Sequence, residues 1–237
     1  MKIALIGYGK MGKAIENIAM LRGHQIVLKI DADNLEDFEK IGQAEVAIEF
    51  TRPESVVENL KKCINFGIPV VCGTTGWLSN FDEVAAFCLE KSGAFLYASN
   101  YSIGVNIFFE INRRLADMMN GYDMYNVKMA ETHHTQKLDA PSGTAITLAN
   151  DILKKMDRKT QWTSNTEGAA ANEILITAQR IDPAPGTHVV TYESLIDTIE
   201  ISHTAHSREG FATGAVLAAE WILGKEGVFS MKDMLGF

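Results

Sequence analysis

A glycine-rich turn near the start of the chain is the feature that most constrains the fold. It follows the short aliphatic run Lys2–Ile6 and opens the helical pattern Lys10–Leu21, and it has the spacing G-x-G-x-x-G. In a strand–turn–helix context these glycines allow a tight turn, close approach of a pyrophosphate to the backbone, and close packing of helix on strand. The pattern therefore predicts dinucleotide binding, with a chance glycine-rich turn as the alternative. The predicted cofactor-binding residues are Gly7, Tyr8, Gly9, Lys10, Met11 and Gly12.

The rest of the first hundred residues alternates between apolar strands and amphipathic helices. This rhythm predicts a parallel sheet covered by helices on both faces, a Rossmann-type domain of the α/β class. The continuously apolar strands fit burial on both faces. The further predicted strands are Gln25–Ile30, Ala44–Phe50, Pro69–Cys72 and Ala94–Ala98, and the helices are Pro53–Phe66 and Leu78–Lys91.

The pattern changes near Tyr101, where we place a domain boundary. Residues 157–172 are polar and predict a loop, and three partly alternating segments then follow, joined by turn signals. Such a run implies antiparallel pairing in an open mixed sheet of three or four strands, part of a smaller α+β domain. The predicted helices are Val105–Met119, Thr144–Met156 and Phe211–Leu223, and the strands are Asp123–Thr132, Glu173–Arg180, His188–Leu195 and Asp197–His203.

The last helix is expected to pack back on the first sheet, because a parallel sheet needs cover on both faces. We therefore expect a dinucleotide-binding domain made of residues 1–101 and 208–237. Residues 102–207 form the second domain, which is expected to bind substrate and to form the subunit contacts. Arg208, at the second boundary, is interpreted as a hinge or salt-bridge residue.

Composition excludes several classes of protein. The 237 residues carry a net charge of −8, which argues against non-specific nucleic-acid binding. Three cysteines without C-x-x-C spacing argue against a disulfide framework or a zinc site. We find no signal peptide and no apolar run near the roughly 20 residues of a membrane span. We therefore expect a cytoplasmic protein with no membrane or nucleic-acid partner.

An acidic residue at the end of the second strand bears on the choice of cofactor. Asp31 lies where a carboxylate accepts hydrogen bonds from the adenosine ribose. Its charge repels a 2′-phosphate, so NADH is favoured over NADPH. Lys10 and Lys29 are the nearby cations that would compensate, and a turn-capping role for Asp31 is the alternative.

Two further polar segments follow strands of the same sheet, at the edge where ligands of open α/β sheets bind. Gly73, Thr74 and Thr75 follow the fourth strand, and a helix-capping turn is the alternative interpretation there. Ala98, Ser99, Asn100 and Tyr101 follow the fifth strand. We expect both segments to contact the nicotinamide end of the cofactor.

The segment ETHHTQKLDAPSGTA (residues 131–145) combines tandem histidines, a lysine and a helix N-terminus. Neighbouring strand residues point to opposite faces, so His133 and His134 make a poor metal site, and no metal is predicted. The backbone N–H groups of Gly143 and Thr144 and the Lys137 ammonium suit an anionic carboxylate. A histidine supplies a proton near neutral pH. The alternative is a solvated polar loop before a capped helix.

This segment resembles the signature of the dihydrodipicolinate reductase family of bacterial lysine and diaminopimelate biosynthesis. The resemblance extends over nearly the whole chain, through GYGKMG, FTRPE, GTTGW, SNYSIGVN and the end from Ile201. It implies an NAD(P)H-dependent oxidoreductase that reduces a small cyclic dicarboxylate, usually as a homotetramer. It implies that His133 and Lys137 are catalytic, with His134, Lys137, Gly143 and Thr144 binding substrate. Many relatives carry a basic residue where this chain has Ala32, which disfavours NADPH.

Two other functions share parts of this pattern. An aspartate-type amino-acid dehydrogenase would share the glycine loop, and a non-catalytic NAD(H)-sensing protein would share the first domain. Neither accounts for the string from Glu131 to Ala145.

Overall fold

The computed structural model describes residues 1–207 and 209–237, and it divides into two units. The first consists of Met1–Ile103 and Glu209–Phe237, and the second of Gly104–Arg208. These bounds lie close to the boundaries predicted from the sequence. Arg208, for which a hinge or salt-bridge role is predicted, lies outside the described residues. Among the described residues, every helix is too short or too polar to cross a membrane.

The first unit contains a six-stranded parallel sheet in the order β11-β5-β4-β3-β1-β2. Its strands are β1 (Lys2–Ile6), β2 (Gln25–Ile30), β3 (Val46–Glu49), β4 (Val70–Cys72), β5 (Ala94–Tyr97) and β11 (Gly227–Phe229). Its helices are α1 (Lys10–Leu21), α2 (Pro53–Asn65), α3 (Phe81–Glu90), α6 (Glu209–Ile222) and α7 (Met231–Leu235), with 3-10 helices at Leu35–Gln43 and Leu78–Asn80.

Burial on both faces of the sheet explains its apolar strands. Ala4 and Ile6 of β1 belong to a buried cluster with residues of α2 and α3, whereas Ile3 and Leu5 belong to a second cluster with α1 and α6. Helix α6 thus packs on the first sheet. Because successive strand residues face opposite sides, two helical layers need an apolar residue at every strand position.

The sequence predicts no element after the helix Phe211–Leu223, whereas the structure has a strand and a helix there. Residues Gly227–Phe229 form β11, which pairs in parallel with β5 and extends the sheet to six strands. The capped helix α7 follows it. The apolar run there consists of Val228 and Phe229 alone, which is too short to predict a strand, so the sequence pattern missed β11.

The second unit contains a five-stranded mixed sheet in the order β10-β9-β6-β8-β7. Its strands are β6 (Asn126–His133), β7 (Gln161–Thr163), β8 (Glu173–Arg180), β9 (Gly186–Glu193) and β10 (Thr198–Ala205). Its helices are α4 (Ile103–Met119), which begins at the unit boundary, and α5 (Gly143–Leu153).

Two details of this sheet correct the prediction. Residues 157–172 are not all loop, since β7 pairs with β8, and the sheet has five strands rather than three or four. Among the three later strands, β9 and β10 pair antiparallel as expected, but β8 does not pair with β9. Strand β6 lies between β8 and β9, parallel to the first and antiparallel to the second.

Candidate functional site

Two neighbouring cavities in the first unit bring most of the predicted cofactor residues together. A cavity of about 820 Å³ is lined by Gly7, Gly9, Asp31 and Ala32. A second, of about 440 Å³, is lined by Gly9, Lys10, Met11, Gly73, Thr74 and Thr75. Both share Gly9, Phe50 and Thr51. The glycine loop, the acid after β2 and the turn after β4 therefore surround adjoining spaces at the carboxyl edge of the sheet, where ligands of such sheets bind.

The three glycines differ in what surrounds them. Gly7 has φ +91°, and a Cβ there would lie closer than 3.0 Å to the Phe50 carbonyl oxygen. A Cβ at Gly12 would come equally close to the Gly7 carbonyl oxygen. At Gly9 a Cβ would meet no described atom within 4 Å. Gly7 and Gly12 are thus required by the turn and by packing, whereas Gly9 leaves an open approach to the backbone.

The N-terminus of α1 suits an anion. Its N-cap is Gly9, and none of the described side chains caps the helix there. Its first turn carries no acidic residue. The N–H groups of a first turn are unpaired within the helix and carry a partial positive charge. The arrangement therefore fits the pyrophosphate of a dinucleotide.

Lys29, one of the two cations expected to compensate for Asp31, is held by other groups. Its Nζ lies 2.7 Å from Glu16 Oε1, donates to the Tyr8 hydroxyl at 3.0 Å, and lies 4.4 Å from the centre of the Tyr8 ring. A hydrogen bond to Glu16 raises the pKa of Lys29. The Asp31 carboxylate accepts a hydrogen bond from the Ala32 N–H at 2.9 Å, which shapes the turn after β2.

The turn after β4 joins the loop after β3. Thr74 is buried, and its Oγ1 accepts a hydrogen bond from the Thr51 N–H at 2.7 Å. Beneath them the buried Glu49 carboxyl accepts hydrogen bonds from Thr51 Oγ1 and, at 3.3 Å, from Cys72 Sγ. Burial raises the pKa of Glu49. Gly73 packs against the Phe50 ring, which leaves no room for a Cβ. Thr75 is exposed at the cavity.

The segment after β5 is different. Tyr101 is buried, and its hydroxyl donates to the carbonyl oxygens of Cys72 at 2.7 Å and Leu96 at 3.2 Å. The Tyr101 side chain therefore belongs to the buried core next to the ends of β4 and β5. Ala98 is also buried, whereas Ser99 is exposed and Asn100 half-buried, with Asn100 Oδ1 accepting from the Ser102 N–H at 2.8 Å. Contacts of Ala98–Tyr101 with a cofactor stay a prediction.

The loop after β3 supplies lining residues that the motif analysis did not single out. They are Phe50, Thr51 and Arg52, joined by Glu54 and Ser55 from the first turn of α2 and by Leu35 from the 3-10 helix. The string FTRPE lies in this region. Its position directly after a strand of a parallel sheet could have indicated a ligand-binding loop.

In the second unit, strand β6 explains how the tandem histidines separate. Burial along β6 alternates, so Val127, Met129, Glu131 and His133 share the buried face. His134 is half-buried and lines a cavity of about 320 Å³ with Asp182 and Ser207 among others. The two histidines thus have different environments, as expected of neighbouring strand residues.

His133 lies in a buried polar cluster. Its Nδ1 is 3.4 Å from Glu131 Oε2, and its ring meets that of His188 edge to face at 5.0 Å between centres. His188 comes from β9, where it lies opposite Glu131. Burial lowers the pKa of His133, and burial followed by the charge of His133 lowers the pKa of His188 to about 4.

Glu131 stays ionised in this cluster. Burial alone would raise its pKa, but hydrogen bonds from Ser142 and Arg180 hold the pKa below its usual range. The Ser142 N–H and Arg180 Nη2 each donate to Oε1 at 3.0 Å. Sequence patterns alone do not mark Glu131, His188 and Arg180 as site residues. Glu131 and His133 are two residues apart on a half-buried strand, so their spacing could have indicated that Glu131 lies beside His133. His188 and Arg180 come from strands that are distant in sequence.

The helix N-terminus of the predicted substrate site is built as expected. Ser142 is the N-cap of α5, and its Oγ accepts from the Ala145 N–H at 3.2 Å. Gly143 is exposed and Thr144 half-buried, and the first turn has no acidic residue. Lys137 lies on the preceding loop, with Nζ at 2.8 Å from Asp139 Oδ1. The backbone of Lys137 and Ser142, the residue before Gly143, are thus both joined to the Glu131 cluster by hydrogen bonds.

The cluster also meets the distance requirement for a cation. One ligand atom each from Glu131, His133 and His188 lies within 4.8 Å of the others. Arg180 holds a permanent positive charge against the same carboxylate, however, and this opposes a divalent ion. We assign no metal site to the cluster.

Comparisons with known proteins match both units. The family models "Dihydrodipicolinate reductase, N-terminus" and "Dihydrodipicolinate reductase, C-terminus" match residues 1–101 and 104–235. A 4-hydroxy-tetrahydrodipicolinate reductase of Christiangramia forsetii is 51% identical, covering 99% of this chain and 98% of its own. One of Methanosarcina mazei is 38% identical, covering 99% and 89%.

A solved structure also shares the fold. The dipicolinate-bound dihydrodipicolinate reductase of Paenisporosarcina sp. TG-14 matches with a TM-score of 0.79 at 21% identity, covering 97% of each chain.

Proposed function

The chain belongs to the dihydrodipicolinate reductase family, and on that premise we propose that it is an NAD(P)H-dependent 4-hydroxy-tetrahydrodipicolinate reductase. The product is tetrahydrodipicolinate, in the pathway to diaminopimelate and lysine. The observation that carries the proposal is the 51% identity to a reductase of that name over 99% of this chain.

The first unit holds the cofactor. The open backbone at Gly9 and the N-terminus of α1 receive the pyrophosphate, Asp31 accepts from the adenosine ribose, and the turn at Thr74 lies toward the nicotinamide side. When bound, the cofactor supplies a hydride. The residues of the unit orient it and exclude water.

The second unit holds the substrate. The N–H groups of Gly143 and Thr144, the Lys137 ammonium and His134 bind the carboxylates of a small cyclic dicarboxylate. Loss of water from this substrate leaves a conjugated imine in the ring. Addition of a hydride to the ring carbon produces an enamine-like anion, and one proton completes the two-electron reduction. His133 and Lys137 deliver that proton.

NADH is the favoured cofactor, with NADPH as the second. Asp31 lines the cavity that receives the adenosine ribose, and its charge opposes a 2′-phosphate. Lys29 is already paired with Glu16, so it compensates little. Arg52 lines the same cavity and is the cation that a 2′-phosphate would meet.

A cytoplasmic homotetramer is the proposed form of the enzyme. The turn between β9 and β10 exposes Leu195 and Ile196, and β10 is an edge strand with half-exposed Ile199. An exposed edge with apolar side chains favours pairing with another subunit.

The activity is tested by following nicotinamide absorbance with NADH and with NADPH. The substrate is generated in situ by condensing pyruvate with aspartate semialdehyde. We expect oxidation of both cofactors, faster with NADH. Oxidation linked only to oxaloacetate and ammonia would indicate an aspartate-type dehydrogenase. Cofactor binding without turnover on either substrate would indicate a sensing protein, and both results contradict the proposal.

A further inference from the structure

One buried carboxylate connects His133, the loop of Lys137 and the N-terminus of α5. The Glu131 side chain is fully buried, and its Oε1 accepts from the Ser142 N–H and from Arg180 Nη2, each at 3.0 Å. Ser142 is the N-cap of α5, directly before Gly143. The carboxylate therefore holds the helix N-terminus that carries the proposed anion contacts.

Arg180 extends this connection to the loop of the proposed proton donor. Its Nε donates to the Lys137 carbonyl oxygen at 3.2 Å, and its Nη2 donates to the Asp139 carbonyl oxygen at 2.5 Å. The same guanidinium thus binds Glu131 and the backbone on both sides of Leu138. Lys137 is positioned, through Arg180, by the carboxylate that lies beside His133.

The second oxygen of Glu131 faces two imidazoles. Oε2 lies 3.4 Å from His133 Nδ1 and 3.7 Å from His188 Nε2. Within the described part of the chain, neither Oε2 nor His133 Nδ1 has a hydrogen-bond partner. A buried carboxylate oxygen without a donor is costly. The distance from Oε2 to Nδ1 is only a few tenths of an ångström beyond an ordinary hydrogen bond.

We propose that Glu131 is the positioning residue of the site, holding His133 with Nδ1–H toward Oε2 so that Nε2 faces the substrate and gives up the proton. The inference rests on the proposed role of His133 as proton donor. Gly186 supports this orientation, because a Cβ at that position would lie 3.0 Å from His133 Nε2. The glycine leaves space beside the nitrogen that must reach a ligand.

The charges around His133 determine the sign of the expected pH effect. The titratable and charged groups that face it come from three strands and one loop: Glu131, His188, Arg180, Lys137 and Asp139. The negative charge of Glu131 favours the imidazolium, whereas burial and the two cations disfavour it. Removal of that negative charge lowers the pKa of His133. Because the protonated form is the donor, the fall of kcat with rising pH then begins at lower pH.

The substitution Glu131→Gln tests the positioning role of Glu131. Glu131→Asp is the conservative variant, and Glu193→Gln is the control. Glu193 is an exposed residue of β9 paired with Lys128, outside the site. Glu131→Gln is expected to lower kcat on the order of a hundredfold, the low end of what a positioned proton donor contributes. The affinity for the cofactor should stay unchanged. The pH above which kcat falls should be lower than in the wild-type protein. Glu131→Asp should recover part of kcat and return the pH above which kcat falls to its wild-type value.

A kcat and pH profile of Glu131→Gln equal to those of Glu193→Gln would overturn the proposal. Because Arg180 loses its partner in Glu131→Gln, the proton position on His133 in the wild-type protein is the second measurement. Nitrogen chemical shifts above the pKa of His133 should show the proton on Nδ1, and a proton on Nε2 would also overturn the proposal. This measurement needs no variant and no substrate, so it is independent of whether the protein reduces the proposed dicarboxylate.

Discussion

Gly9 and Gly12 offer a matched pair of substitutions, because alanine at these positions should have opposite effects on binding and stability. A methyl at Gly9 meets no described atom within 4 Å, and its backbone is extended, with φ −79° and ψ −153°, near conformations that alanine adopts. A methyl at Gly12 lies within 3.0 Å of the Gly7 carbonyl oxygen. The first substitution places a methyl in the proposed path of the pyrophosphate, and the second strains the fold itself.

The expected magnitudes follow from these surroundings. Alanine at Gly9 should leave the free energy of unfolding equal or raise it by about 0.4–1 kcal/mol, since the unfolded chain loses freedom. Loss of one backbone hydrogen bond to a charged phosphate costs about 1.5–3 kcal/mol of binding, or roughly a 10- to 100-fold weaker NADH affinity. Alanine at Gly12 should lower the free energy of unfolding by about 1–3 kcal/mol through overpacking.

Urea unfolding and fluorescence titration with NADH measure the two effects on the same samples. Gly9→Ala with wild-type affinity for NADH would refute the assignment of the pyrophosphate to this loop. Gly12→Ala with wild-type stability would refute the packing argument.

Further substitutions test the roles of His133, Lys137, Asp31 and His188. His133→Ala and Lys137→Ala should each lower kcat by roughly 10²-fold or more while leaving NADH affinity intact, and steady-state kinetics with a binding titration check both. Asp31→Ser should raise the ratio of kcat/KM for NADPH over NADH about fivefold, because a repulsion of about 1 kcal/mol is removed. The pKa of His188 is about 4 in the fold against 6.5, so the unfolded chain binds more protons below pH 6.5. The free energy of unfolding should therefore fall by about 3 kcal/mol between pH 6.5 and 4. Urea unfolding across that range should show a smaller fall in His188→Gln than in wild type.

Local patterns predicted the elements that are long and periodic. The bounds of β1, α1 and β2 are those expected from the aliphatic runs and the glycine behind the helix. Strands β7 and β11 have three residues each, and they are strands only because a neighbouring strand pairs with them. The position of β6 between β8 and β9 likewise depends on tertiary packing, and the spacing of strands along the chain does not determine it.

The residues of the candidate site also differ in whether local sequence patterns could predict them. His133, Lys137 and the helix start at Gly143 lie in one continuous string, so sequence reasoning found them. His188 and Arg180 reach the site from β9 and β8, where nothing nearby in sequence marks them. Tyr101, in contrast, follows a strand of the parallel sheet, but its side chain turns into the core and hydrogen-bonds to strand carbonyls.

In the proposed reaction, this chain transfers a hydride from a nicotinamide cofactor to a ring carbon of the cyclic dicarboxylate. Turnover with NADH carrying deuterium at the transferred position of C4, followed by mass spectrometry of the product, tests this transfer. The tetrahydrodipicolinate formed is expected to carry one deuterium on a ring carbon. Cofactor oxidation without deuterium in the product, or no oxidation at all with this substrate, would contradict it.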